Sequence, residues 1–538
     1  MSALGKGVTA ASISLLLKSR GYKVCPIKCE NNLNVDFGTL NPIEHGDPFL
    51  CFDGLEADQD LGNYERFLNQ EVGRSNFMTM GQLYLSVINK ERQMGYDGED
   101  VEPIPHVVEE IIKRIKKAEV DSQADFVVIE LGGTVGEYEN NNGLYYEAAR
   151  ILAEKRRVAH VHVTYVPIPP HIGEPKTKPA QFGIKALMNM GILPNFIVVR
   201  SEKPVDKPRK YKFAFKFNIK PKDIFSNENL KDIHLVPIHL YEQKLDERIL
   251  SFFRLSKGRI NIKPWRDFVD NLTSPKKKKA KIAVVGKYFG SGDSILLDSY
   301  YALIDSIKHG CLANNVEPDF IFVNSEKQEG KIAQNLKGSQ GIVVPIGWGK
   351  RGAAGKIEAI KYARENKIPY LGLCYGMQLA AVEYAKNVCG IKNATSEEIN
   401  PKAKEKIIHS IPFDPKYQVI KGDGCSMRIG TYDCVLKETS LIYSIYKKHN
   451  SFKRGLLGVA QERHRHRFEF NNKYRKTLED AGLIISGTSP DNLFVESIEL
   501  PKNVHPFFIA TQFHPEYRSY PLKPHPIFVE FIKASLDN

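Results

Sequence analysis

The sequence predicts an α/β protein built as two doubly wound, Rossmann-like parallel-sheet domains joined by a linker. Three observations predict it. Short apolar runs alternate with helical patterns in both halves of the chain, as strand, crossover helix and next parallel strand require. At 538 residues the chain is also too long for one core of ordinary size. Between the halves, Asn271 to Lys279 is polar, contains a proline and ends in four lysines, which reads as a solvated connection. The expected division is therefore 1–265, a linker at 266–279, and 280–538.

Composition narrows the class. With 42% apolar and 26% charged residues the chain reads as a soluble globular protein, and its net charge of +13 suits anionic ligands, nucleotides as well as nucleic acid. There is no run of about 18 apolar residues and no basic-then-apolar start, so a cytoplasmic protein without membrane contact is expected. The eight cysteines form no C-x-x-C pair, which argues against a zinc site and against a disulfide framework.

In the first half, Ser2-Ala-Leu-Gly-Lys-Gly7 opens a helical pattern with Val8, Ile13, Leu16 and Leu17 on one side and Gly21 as its stop. Gly-Lys before a helix is the tail of a phosphate-binding loop, in which backbone N–H groups cradle oxygens and the lysine adds charge. The strand that should precede such a loop is not in the sequence, so a start downstream of the true one is expected. Tyr22 to Ile27 reads as a strand leading to Lys28, and a polar turn region follows from Asn34 to Gly46. Glu130 follows the apolar strand Phe126 to Ile129 and precedes Gly132-Gly133; a carboxylate at a sheet's carboxyl edge is costly unless it meets a cation. Lys176 to Gln181, downstream of the strand Ala159 to Val166, gathers two cations, a hydroxyl and an amide within six residues.

In the second half strands are expected at Lys281 to Val285, Phe320 to Val323, Gly341 to Val344 and Tyr370 to Leu373. The last runs into Cys374, Gly376 permits a sharp turn, and Met377 to Asn387 is helical, which sets a thiol on a strand-to-helix elbow. The helix N-terminus there favours a thiolate and can hold an oxyanion. Far downstream, after the strand Phe507 to Thr511, Gln512-Phe-His514-Pro-Glu516 supplies a base and its orienting carboxylate, completing a nucleophilic triad. In Glu462-Arg-His-Arg-His-Arg467, strand alternation puts arginines on one face and histidines on the other. A nucleic-acid reading of the chain is the weakest, because interleaved aromatics are missing.

The strings around Cys374 and His514 resemble a class I glutamine amidotransferase domain. The order Ser2 to Gly7, Asn34-Val-Asp-Phe-Gly-Thr39, His45-Gly46, Asp58-Gln-Asp60-Leu-Gly-Asn-Tyr-Glu-Arg-Phe67, Ile129 to Gly136 and Lys176 to Gln181 resembles the CTP synthases over essentially the whole chain. This resemblance implies that ATP phosphorylates O4 of UTP and that ammonia from glutamine displaces the phosphate. It implies ATP contacts from Ala3, Leu4, Gly5, Lys6, Gly7, Val8, Lys28 and Asp60, with Mg²⁺ on Asp60 and Glu130. For UTP and the product CTP it implies Ser2, Glu137, Tyr138, Glu139, Lys176, Thr177, Lys178, Gln181 and Lys222. Catalysis of glutamine hydrolysis falls to Cys374, His514 and Glu516, with glutamine held by Gly347, Tyr375, Gly376, Met377, Gln378, Glu398 and Arg467. A homotetramer, GTP activation and filaments are implied too.

Two departures keep other readings open. Ile346 stands where the family has glycine, beside the expected oxyanion hole, and the phosphate loop lacks its first half. A catalytically impaired structural or regulatory paralogue, or an ammonia-only ligase with a weakened glutaminase, would also fit them.

Overall fold

The computed structural model describes residues 4–42, 46–136, 142–291, 294–295, 297–411 and 426–538. The chain forms two compact units, Met1–Phe37 with Asn63–Asp270, and Gly38–Gly62 with Asn271–Asn538. Both are α/β with parallel sheets, the class that the sequence predicts.

In the first unit the parallel strands fall into two sheets of three. One runs Phe77–Thr79, Val24–Glu30, Phe126–Leu131, and the other Val161–Tyr165, Phe196–Ser201, Ile224–Glu228. Helices cover them because their apolar residues recur at helical spacing: Val108–Ser122 buries Val108, Ile111, Ile115 and Ala118, then ends on Gln123 in the left-handed region. The opening helix, Lys6–Ser19, is buried on nearly all sides from Thr9 to Leu17. All of Phe126–Leu131 and all of Val161–Tyr165, an edge strand of each sheet, line one cavity of about 760 Å³ with Ala10, Ile13 and Leu17 of that helix. The sheet expected as one doubly wound layer is thus divided in two, with a cavity where its halves end.

The second unit has one sheet of nine strands, in the order Glu317–Asn324, Lys279–Gly286, Gly341–Val344, Tyr370–Leu373, Phe508–Thr511, Val495–Glu499, Ile484–Thr488, Arg428–Leu436, Val459–His466. The first five are parallel and the last four join antiparallel. Alternate residues of each parallel strand feed two cores: Ile342, Val344 and Tyr370 on one face, Ile282, Val343 and Leu371 on the other. Gly38–Gly62 also belongs here, as a strap whose strands Phe49–Leu50 and Glu56–Ala57 pair antiparallel across a turn at Gly54. The expected linker at 266–279 begins inside a helix, Lys263–Thr273, whose Trp265 is buried and donates to the His234 carbonyl at 3.0 Å.

Candidate active sites

In the second unit the strand Tyr370–Leu373 passes into the helix Tyr375–Asn387 through Cys374, which sits at φ 51, ψ −99. An L-residue avoids that region, so the surrounding packing must enforce it. Gly376 makes the turn possible, since a Cβ there would lie 2.0 Å from the Val344 carbonyl oxygen. The buried Cys374 sulfur lies 3.7 Å from the Arg465 carbonyl oxygen and accepts from Gln512 Nε2 at 3.5 Å.

His514 and Glu516 come to the same place from the far end of the chain. His514 Nδ1 is 2.7 Å from Glu516 Oε1, and its backbone N–H donates to the Arg463 carbonyl at 2.8 Å. A carboxylate on Nδ1 fixes the ring's tautomer and its aim. Among the described residues, the buried Nε2 has no hydrogen-bond partner. Burial alone pushes the imidazolium down, but Glu516 and the Cys374 thiolate push it up further, to about 10. The electrostatics therefore favour a protonated imidazole beside the sulfur.

Around this group Glu398 Oε1 accepts the Gly349 N–H at 2.6 Å, and Tyr375 Oη donates to the Gly349 carbonyl at 2.9 Å. Gln378 Nε2 donates to the Phe468 carbonyl and to Gln512 Oε1. Burial raises the Glu398 carboxyl, against the pull of the Gly349 N–H, Lys287 and Arg467. The Met377 side chain is fully buried in the core, leaving only its backbone to face a ligand. Ile346 is also buried in the core and is not among the positive-φ residues. Steric demand falls on the next residue instead, because a Cβ at Gly347 would meet Lys356, Tyr375 and Lys287 at 3.1 to 3.2 Å. The branched side chain is thus accommodated without strain.

Two lysines here escaped sequence reasoning. Lys287 follows the strand Lys279–Gly286, and burial pushes its ammonium down to about 8. Lys356 is buried, with its ammonium held well below the usual range by burial, and it donates to the carbonyls of Pro345 at 2.6 Å and Ile346 at 3.1 Å. The available signal was a lysine four residues beyond Gly352 at the start of the helix Ala353–Glu365.

In the first unit Gly5, at φ 82, precedes the helix that starts at Lys6, and the Gly5 carbonyl accepts the Thr9 N–H. Leu4, Gly7 and Val8 flank this turn, and Lys6 Nζ donates to the Gly133 carbonyl at 2.9 Å. Parallel register sets Lys28 beside Glu130, and their side chains pair at 2.7 Å. Lys28 also lies 3.1 Å from Glu30, while Tyr64 Oη donates to Glu130 Oε2. Asp60 stands in the first turn of the helix Gln59–Leu68 but falls in the other unit, so neither unit by itself contains both expected metal ligands. Ser2, Ala3, Glu137, Tyr138 and Glu139 lie outside the described residues.

Thr177 is the N-cap of the helix Lys178–Asn189 and its hydroxyl accepts from the buried Gln181 Nε2 at 2.9 Å. Lys216, another residue that sequence reasoning missed, donates to Gln181 Oε1 at 2.7 Å. Lys176 pairs with Glu174 at 2.9 Å, while Lys178 and Lys222 are exposed, Lys222 in the turn Pro221–Asp223. The amide at this site is therefore fixed and the cations around it are accessible.

Comparison with known proteins reaches both units. The family profile described as CTP synthase N-terminus matches residues 1–255, and that of glutamine amidotransferase class-I matches residues 295–534. A CTP synthase of Caldanaerobacter subterraneus is 42% identical over 541 residues, covering 100% of this chain and 97% of its own. One from Bdellovibrio bacteriovorus is 43% identical over 538 residues, with 100% and 97% covered. A third, from Geobacillus kaustophilus, is 41% identical over 540 residues, with 100% and 98% covered. With identity of this order sustained from end to end, the chain belongs to the CTP synthase family.

Proposed function

We propose that the chain is a ligase that converts UTP to CTP, driven by ATP, with ammonia released from glutamine at Cys374. The observation that carries this reading is the strained Cys374 elbow beside the paired His514 and Glu516, in a chain aligned with the family over its whole length.

The Cys374 thiolate attacks the amide carbon of glutamine, and backbone N–H groups near Gly347 and at the start of the helix Tyr375–Asn387 receive the developing oxyanion. His514 gives its proton to the departing ammonia, leaving a glutamyl thioester. It then takes a proton from the water that hydrolyses that thioester to glutamate. Glu516 holds the imidazole throughout. Gly347, Tyr375, Gly376, Met377, Gln378, Glu398 and Arg467 hold the substrate, with Glu398 receiving its α-ammonium group.

In the synthetase reaction the γ-phosphoryl of ATP passes to O4 of UTP, ammonia attacks C4, and phosphate leaves with that oxygen. Phosphoryl transfer asks for positioning and charge neutralisation. Leu4 to Val8, with the helix N-terminus and Lys6, face ATP phosphates, and Lys28 stabilises the transferring group. Lys176, Thr177, Lys178, Gln181 and Lys222 hold UTP. Carboxylates suit a hard cation, so Glu130 and Asp60 would hold Mg²⁺, which neutralises phosphate charge when bound. Lys28 and Tyr64, now on Glu130, would yield or share its oxygens. GTP activation, a homotetramer, filaments, a cytoplasmic location and the division at 266–279 belong to the same reading, supported by family membership.

The test follows UTP-to-CTP conversion by the purified chain with ATP and Mg²⁺, once with ammonium salt and once with glutamine plus GTP. Conversion in both arms is expected. Conversion with ammonia alone would remove the glutaminase half of the reading, and conversion in neither would overturn it.

A further inference from the structure

The strap Gly38–Gly62 brings two carboxylates into the glutaminase unit, and both meet the same guanidinium. Arg465 Nη1 donates to Asp47 Oδ1 at 3.0 Å and Arg465 Nε donates to Glu56 Oε1, with all three side chains buried. A buried guanidinium needs such partners, because losing one leaves charge uncompensated. Arg463, two residues earlier on the same strand, donates to the strap's Leu50 carbonyl at 2.9 Å. The turn of the strap is pinned as well, since the Thr431 N–H donates to the Phe52 carbonyl at 2.9 Å and a Cβ at Gly54 would meet the Ile429 carbonyl at 3.2 Å.

The backbone of these two arginines serves the thiol chemistry directly. The Arg465 carbonyl faces the Cys374 sulfur at 3.7 Å, and the Arg463 carbonyl holds the His514 N–H at 2.8 Å. Asp47 reaches the site by a second route. Its Oδ2 accepts from Tyr517 Oη at 3.0 Å, Tyr517 directly follows Glu516, and the Tyr517 ring lies 5.4 Å from that of His514. One carboxylate thus ties the strand beneath the sulfur to the turn that carries the base and its orienting acid. Phe49 packs edge-on against Tyr517 at 5.4 Å and completes the seat.

We propose that Asp47 and Glu56 are positioning residues for thioester chemistry at Cys374, acting through Arg465 and Tyr517. Neither touches the reacting atoms. By covalent connection the strap continues at both ends into the first unit of the chain. The inference rests on the glutamine-hydrolysing reading above.

The test compares the full-length chain with Asp47→Asn, Glu56→Gln and Asp47→Glu. Glutamine hydrolysis, ammonia-dependent CTP formation, and the rate at which iodoacetamide alkylates Cys374, read by peptide mass spectrometry, are measured on each. Small displacements of a reacting pair cost one to two orders of magnitude, so kcat for glutamine is expected to fall about 10- to 100-fold in the Asn and Gln variants. KM for glutamine should stay within about twofold, alkylation should slow in parallel with kcat, and ammonia-dependent synthesis should hold. Asp47→Glu, which keeps the charge, should recover part of the rate. Wild-type hydrolysis in both charge-removing variants would overturn the proposal, and so would an equal loss of both activities, which marks general destabilisation. If the unmodified chain does not hydrolyse glutamine, the functional reading fails, and the alkylation rates alone still decide the positioning role.

Discussion

Lys356 Nζ lies 2.6 Å from the Pro345 carbonyl oxygen, its ammonium buried beneath the loop that carries Gly347. A second bond to the Ile346 carbonyl at 3.1 Å makes this amine the anchor of the loop, which in the proposed reading presents N–H groups toward the thiol. Replacing it with Met should lower glutamine hydrolysis about 100-fold, the usual scale for a disturbed oxyanion hole, and spare ammonia-dependent synthesis. Ile346→Gly should change neither by more than about twofold. A wild-type rate in Lys356→Met would show that the loop stands without its anchor.

Gly376→Ala tests the elbow. Its methyl would meet the Val344 carbonyl at 2.0 Å, so either the helix start or the strand must move. Overpacking of this kind costs about 1 to 3 kcal/mol or more. A lower Tm and loss of glutamine hydrolysis are expected; an unchanged Tm would show that the backbone relaxes freely there.

Lys216→Ala addresses the other half of the chain. It removes the donor to Gln181 Oε1. Loss of one charge-assisted hydrogen bond should raise KM for UTP about tenfold with little change in kcat and none in glutamine hydrolysis. An unaltered KM would separate this network from UTP.

Burial raises the Glu469 carboxyl to about 8, from an ordinary 4.5, and its side chain lies 3.6 Å from His409. Between those values the folded chain keeps a proton that the unfolded chain has lost, so this group's contribution to stability falls as pH rises from 4.5 through 8. Glu469→Gln should therefore be more stable than the parent at pH 8.5, by an amount on the order of a few kcal/mol seen as a higher Tm, and not at pH 5. A Tm difference independent of pH would contradict the assignment.

What the sequence disclosed and what it withheld divide by chain separation. Cys374 was legible because strand, turn and helix are contiguous and Gly376 marks the turn. The alternation of Arg463 and Arg465 against His464 and His466 was legible as well: the arginines meet the strap, while His464 lies 3.6 Å from Glu496 on the other side. The pairing of Lys28 with Glu130 depends on strand register, which no local pattern encodes. The strap was missed for the same reason, its ion pairs joining residues 409 and 418 positions apart. Of the antiparallel strands of the large sheet, Val459–His466 was legible through that alternation, whereas its pairing with Arg428–Leu436 joins segments that no local pattern links.

The strap has a consequence for how the chain is made. A ribosome completes residue 62 about 400 positions before it reaches Arg465, which at ~5–20 residues per second is a wait of roughly 20 to 80 s. Through that interval Asp47 and Glu56 sit on a two-stranded ribbon too small to persist by itself, keeping their carboxylates in water. The neighbouring polypeptide can begin to fold around its own residues in the meantime, carrying the ribbon as an unpaired loop. The glutaminase unit therefore closes after translation has nearly ended, and the piece of it made first is among the last to be fixed.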